Sequence, residues 1–250
     1  MKKLLAILVV SFATVIFPQQ KLKLMTFNIY HGETPTGNIN LDAFAEIIND
    51  EQPDIIALQE VDFYTNRSGK IDMSLKLAKK TKTVPLFARA MSYDGGEYGV
   101  AILSRFTFIK SVVYNLPYEE GYEPRVALAV DVKIGNDTLS FITTHLDYHE
   151  NDTLRFKQAQ HLLKITKTID RPLFLLGDLN DTPESRTIKL LLTVFSSDDS
   201  SLLSFPCPKP EKKIDYILNR TNQWKMIDEY KIITDKASDH CAVVGIFGKR

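Results

Sequence analysis

Cysteine and tryptophan are scarce in this 250-residue chain, at two and one, and net charge is absent: Lys plus Arg equals Asp plus Glu at 31 each. Two cysteines fall short of the Cys/His sets that hold structural zinc. A zero balance withholds the general electrostatic footprint of a nucleic-acid binder, though it leaves room for a local basic groove. The lysines clustered at 76–82 and 209–213 read as solvated faces. No Gly/Ser-rich linker, charge block or internal repeat interrupts the sequence, so one domain is expected. No long apolar hairpin that would grip a membrane is visible. What is present, 44% hydrophobic and 25% charged residues, suffices for a full globular core.

One apolar run, Leu4–Phe17, follows Lys2 and Lys3 and precedes Gln19 and Gln20. That is the layout of a secretory signal peptide. It is short for a bilayer-spanning helix, which needs about 20 apolar residues. Residues 1–20 are therefore expected to be a signal peptide and 21–250 the folded domain. The protein is expected to be periplasmic or secreted, with an uncleaved anchor as the alternative. No transmembrane segment is expected after the leader, and no obligate protein partner is evident. In an oxidising compartment Cys207 and Cys241 can form a bridge. Cys241 also lies in an apolar run and reads as a small buried hydrophobe. Spacing alone does not choose between the two.

Periodicity gives the organisation. Strands are expected at 21–29, 54–61, 84–91, 98–106, 108–116, 126–134, 139–146, 172–178, 213–219 and 241–248. Helical spacing marks 41–52, 71–81, 154–169 and 184–195. A tight turn centred on Asn136-Asp137 joins two of the strands. The stretch 195–212, rich in Ser, Asp and Pro, reads as loop. Strand–helix alternation at both ends, with helix-free strands between, suggests an α/β or α+β layered domain.

Polar residues recur at the edges of apolar strands: Asn28, Glu60, His145, Asp178, Asn180, Asp215, Asp239 and His240. One such residue is usually a turn or a cap. Repetition along the whole chain points to convergence, since a buried charge is costly unless paired or metal-bound. Carboxylate and amide oxygens with few thiols favour hard cations such as Mg²⁺ or Mn²⁺. Such ions serve phosphate chemistry, with a carboxylate or imidazole activating water.

NIYHG, LQEVD, GVAILSR, THLDYH, GDLND, KIDYIL and SDHCAVV occur in that order. This series closely resembles the endonuclease/exonuclease/phosphatase superfamily over residues 21–248. The resemblance implies a four-layer sandwich, two facing mixed β-sheets with helices on the outer faces. It also implies a metal-dependent phosphoesterase. By resemblance, Glu60 is the main metal ligand, with Asn28 and Asp239 on the metal side. Asp178 and Asn180 orient the attacking water. His240 contacts the phosphate or carries the proton, Asp215 fixes its tautomer, and His145 is an acid near the leaving oxygen. Some nucleases of the family carry an acidic residue two positions after the first Asn. Tyr30 stands there in this chain, which favours one ion.

Arg125 is a candidate phosphate contact. Tyr30, His31, Tyr64, Arg67, Tyr98, Tyr148 and His149 are candidates for a substrate rim, and His161 is a bland surface or core histidine. The substrate expected is a phosphate ester, diester or monoester. Nuclease activity and an inactive binding module are the alternatives.

Overall fold

In the computed structural model, residues 20–197, 201–233 and 236–250 are described. The expected leader lies outside them. β1 (Lys21–Asn28) runs parallel to β2 (Ile55–Phe63), and antiparallel neighbours complete a six-stranded sheet. These are β4 (Gly96–Ser104), β3 (Val84–Tyr93), β11 (Ala242–Lys249) and β10 (Trp224–Ile232), in the order β10-β11-β1-β2-β4-β3. The second sheet has the order β5-β6-β7-β8-β9. Its strands are β5 (Phe108–Asn115), β6 (Val126–Ile134), β7 (Asp137–His145), β8 (Leu173–Asp178) and β9 (Asp215–Arg220). Only β7 and β8 pair in parallel there. Both sheets are mixed, as expected.

The layers follow from which faces are apolar. Leu24, Ile55 and Ile102 of one sheet pack against Leu128, Phe141 and Phe174 of the other. Phe174 stacks on Phe141 at 5.3 Å and meets Phe247 edge-on at 4.9 Å, geometries worth about 0.5–1.5 kcal/mol each beyond burial. α1 (Leu41–Glu51) and α2 (Met73–Thr81) cover the outer face of the first sheet through Phe44, Ile48 and Leu77. α3 (Thr153–Thr166) and α4 (Arg186–Leu191) cover the second through Ala159, Leu162 and Ile188. Side-chain oxygens of Asn40, Asp72 and Ser185 cap α1, α2 and α4. α1 ends where Gln52 turns left-handed, at φ 50°, ahead of Pro53.

Four elements depart from the sequence reading. The β6–β7 turn centres on Gly135-Asn136, one residue earlier, because Gly135 supplies the positive φ of 62°. α3 stops at Thr166, where Thr166 and Thr168 hydroxyls bond backbone carbonyls of the last turn. α4 is one turn and a half, since Ser196 leaves to pair with Asn219. β10 has no counterpart in the periodicity. It is an edge strand with a register shift between Met226 and Asp228, and its second half is charged.

Gly177 explains the glycine of GDLND. At φ 156°, a Cβ there would lie 2.1 Å from the Thr144 carbonyl oxygen of the neighbouring strand. Gly177→Ala therefore forces β7 and β8 apart beside the site. Overpacking and backbone strain together set an expected loss of about 3 kcal/mol, read as a lower urea midpoint.

Candidate active site

The parallel pairs decide where polar side chains collect. β1 and β2 end at the same edge of their sheet and carry Asn28 and Glu60 there. β7 and β8 end together with His145 opposite Asp178, and β9 starts with Asp215 on the other side of Asp178. The turn before β11 brings Asp239 and His240 to the same end. Glu60 sits where the β2–β4 register shifts between Leu58 and Val61, with φ 56°. Such a bulge re-aims a side chain. Here it turns Glu60 toward the other sheet.

Asn28 is the hub. Its Nδ2 donates to Glu60 Oε1 at 3.0 Å and Asp178 Oδ2 at 3.1 Å, and lies 3.4 Å from His240 Nε2. Its Oδ1 accepts from Tyr30 N. Asp178 Oδ1 accepts from Asn180 N at 2.9 Å, and Asn180 Nδ2 donates to the Leu146 carbonyl. His240 Nδ1 lies 3.0 Å from Asp215 Oδ2, which also accepts from Ser204 Oγ at 2.6 Å. Arg155, buried, donates to Asp181 and to the Asp147 and His149 carbonyls. It ties the loop after β7 to the loop after β8.

Charge states follow from these contacts. Burial would lower His240, but the Asp215 charge and hydrogen bond, then Asp178 and Asp239, outweigh it and push it up to about 10. It is an imidazolium at neutral pH. Burial and the Asp215 charge raise Asp178 above the carboxylate range, against the pull of His240 and Asn28. Burial, then Glu60, raise Asp239, with His240 opposing.

His145 is different. Burial and then the Arg125 guanidinium hold it well below the ordinary imidazole value. Arg125 Nη1 lies 3.2 Å from His145 Nδ1. A guanidinium only donates, so Nδ1 accepts and Nε2 carries the hydrogen. That N–H faces Asp178 Oδ2 at 3.6 Å. Burial would raise Glu60, but Asn28 and His240 oppose it and its carboxyl is held low; His31 Nδ1, at 3.9 Å, is too far to hydrogen-bond it. His145, being neutral, adds little to that lowering.

The cleft has a volume of 280 Å³, and Glu60, Arg125, His145, Asp178, Asn180, Asp239, His240 and Tyr30 line it. All eleven residues singled out as site candidates thus lie in or beside one place. Asp215 stands behind His240, Asn28 lies between the carboxylates, and His31 lines an adjoining cleft. Arg125 is only 3% exposed, and its two Nη groups go to His145 and Glu123. Tyr98, Tyr148, Tyr64 and Arg67 split. Tyr98 and Tyr148 line the main cleft and Arg67 the adjoining one, whereas Tyr64 lines neither. His149 bonds Asp147 and stacks on Tyr148 and Tyr122.

Sequence reasoning missed Ser204, Glu123 and Arg155. Ser204 falls in the stretch taken as loop, yet it is fully buried on Asp215. Its neighbour Phe205 packs on the His240 ring at 4.7 Å. The Cys207–Cys241 disulfide fastens this loop to β11, helped by Cys207 N on the Asp239 carbonyl and Cys241 N on the Ser204 carbonyl. Of the two readings left open for these cysteines, the structure has the bridge.

Asp178, Asp215 and His240 offer ligand atoms within 4.8 Å of one another, a spacing that can hold a metal ion. Their hydrogen bonds compete with that use, since Asp215 Oδ2 already takes two donors. Glu60 is better placed for a hard cation: it is low in pKa, 19% exposed at its side chain, and its Oε2 takes no hydrogen bond from the described residues.

Residues 25–240 match the Endonuclease/Exonuclease/phosphatase family. The chain belongs to this family. Solved structures agree on its fold. A family member from Beutenbergia cavernae is 22% identical, with TM-score 0.75, covering 92% of this chain and 72% of that one. The human Nocturnin catalytic domain with a bound sulfate anion is 20% identical, with TM-score 0.72, covering 93% and 98%. A mannosyl-6-phosphatase from Bacteroides thetaiotaomicron is 16% identical, with TM-score 0.69, covering 90% and 99%. Within the endonuclease/exonuclease/phosphatase family the members are phosphoesterase hydrolases acting on phosphate esters. Among the described residues no helix is long and apolar enough to cross a membrane.

Proposed function

We propose that the chain is an exported, metal-dependent hydrolase of a small phosphate ester, monoester or diester, with residues 1–20 a removable leader and 21–250 the working domain. The observation that carries it is the meeting of Asn28, Glu60, His145, Asp178 and His240, from strand ends of two sheets, around one cleft. Export is supported by the Cys207–Cys241 bridge, a feature of oxidising compartments. A small ester suits the 280 Å³ cleft, whose rim carries Glu123 and Asp239. The zero net charge of the chain gives an extended polyanion no general attraction, so a nucleic acid is the less favoured substrate.

Roles follow from the protonation states. Asp178, its carboxyl raised toward the working pH, accepts the proton of the attacking water, with Asn180 orienting that water. His240, a cation held by Asp215, donates to a phosphoryl oxygen. His145 supplies a neutral Nε2–H to the same group rather than a proton to the leaving oxygen. Glu60, with Asn28 and Asp239, would hold one Mg²⁺ or Mn²⁺. That ion neutralises phosphoryl charge when bound.

The purified protein, offered bis-aryl phosphodiesters, sugar phosphates, inositol phosphates, choline lipids and plasmid DNA, is expected to turn over a small ester fastest. Excess chelator is expected to abolish that turnover, and Mg²⁺ or Mn²⁺ to restore it. Full activity in chelator would overturn the metal requirement. DNA cleaved first would promote a nuclease. Normal metal binding with no turnover of any substrate would promote a binding module.

A further inference from the structure

His31 has no part in the chemistry above, yet it is buried at 7% exposure and faces the carboxylate that matters most. Its Nε2 lies 3.1 Å from Glu33 Oε2. A carboxylate accepts and does not donate, so Nε2 carries the hydrogen. Nδ1, the ring's other nitrogen, is the one turned toward Glu60. That atom is enclosed and has no hydrogen-bond partner among the described residues. Its nearest charged neighbour is Glu60 Oε2 at 3.9 Å, beyond hydrogen-bond range. A ring nitrogen and a carboxylate oxygen held 3.9 Å apart without a hydrogen bond are spaced to share a cation between them.

The backbone holds the ring there at a cost. Tyr30 and His31 are both left-handed, at φ 43° and 44°, a conformation that non-glycine residues avoid. A tight turn fixes them, through Gly32 N to the Ile29 carbonyl at 2.7 Å and Glu33 N to the Tyr30 carbonyl at 2.9 Å. Asn28 Oδ1 holds the Tyr30 N–H from below, and the Tyr30 ring covers the imidazole at 4.4 Å. Strain of this kind collects at ligand sites.

We propose that His31 Nδ1 is a direct ligand of the divalent ion held by Glu60, with Glu33 orienting the ring. A carboxylate that receives the far N–H of a metal-bound imidazole is a recurring support for such ligands. The inference rests on the metal reading given above and adds a nitrogen to an otherwise oxygen set. One imidazole tilts preference from Mg²⁺ toward Mn²⁺ and later first-row ions.

Mn²⁺ is the probe. The wild-type protein loaded with Mn²⁺ is expected to show nitrogen modulation from a bound imidazole in pulsed EPR. His31→Gln is expected to lose it and to weaken the Mn²⁺ Kd by about 10–100-fold, with a smaller change for Mg²⁺. Glu33→Gln leaves the imidazole in place, so it is expected to keep the nitrogen signal and weaken Mn²⁺ by about tenfold. That variant carries the test if His31→Gln does not fold. Two results overturn the proposal while leaving the metal reading intact. One is Mn²⁺ binding that depends on Glu60, by Glu60→Gln, with no nitrogen signal in the wild type. The other is an affinity that neither His31→Gln nor Glu33→Gln alters. No Mn²⁺ binding by the wild type sinks both.

Discussion

Asp178→Asn is expected to lower kcat by about 10²–10⁴-fold while leaving KM and the Mn²⁺ Kd within a few-fold, because general bases contribute on that scale to the transition state alone. The carboxylate is 1% exposed, at the centre of the donors Asn28, His145 and His240. Its elevated pKa suits it to take a proton near neutrality. The amide keeps the shape and loses that capacity. Glu60 stays in place, so the ion should stay bound. Steady-state kinetics and a metal titration on the same preparation test the two halves. A D178N protein with kcat within tenfold of wild type would remove Asp178 from the chemistry.

His240→Gln is expected to cost both activity and pH-dependent stability. In the metal-free protein the imidazolium pairs with Asp215 and faces Asp178, both buried. Its removal leaves carboxylates uncompensated, which costs about 3–5 kcal/mol for a buried pair. The folded pKa of about 10 stands above the unfolded value near 6.5. The native state therefore binds this proton more tightly than the unfolded chain. The stabilisation is fully present below the unfolded value and is lost as pH rises through the folded one. The gap in urea midpoint between wild type and H240Q should be widest at pH 6 and close toward pH 10. A gap that stays constant over that range would show that the charge on His240 contributes nothing to holding the fold.

Much of the architecture was legible because both sheets bury alternating or continuous apolar runs and the helices have clear caps. Asn28, Glu60, His145 and Asp178 were legible for a simple reason. Asn28, His145 and Asp178 are polar residues that close buried strands, Glu60 follows the last residue of β2 paired in parallel with β1, and parallel pairing carries all four to one edge. β10 escaped because an edge strand needs only one apolar face, and Trp224 and Met226 are its only fully buried residues. The bulge at Glu60 escaped because an extra residue leaves no mark on composition. Ser204 and Glu123 were invisible for another reason. Their partners Asp215 and Arg125 come from other elements, and loop residues that meet across space have no period to announce them. The neutral state of His145 likewise depends on a guanidinium twenty residues away in sequence.

Phe205 lies on the His240 ring and Ser204 beneath Asp215, and a single sulfur–sulfur link holds that segment against Cys241, the residue that follows the imidazole. A thiol reductant in a storage buffer therefore acts at one remove on His240. Preparations made in a reducing cytosol and in an oxidising compartment then differ beside this imidazole although their sequence is one.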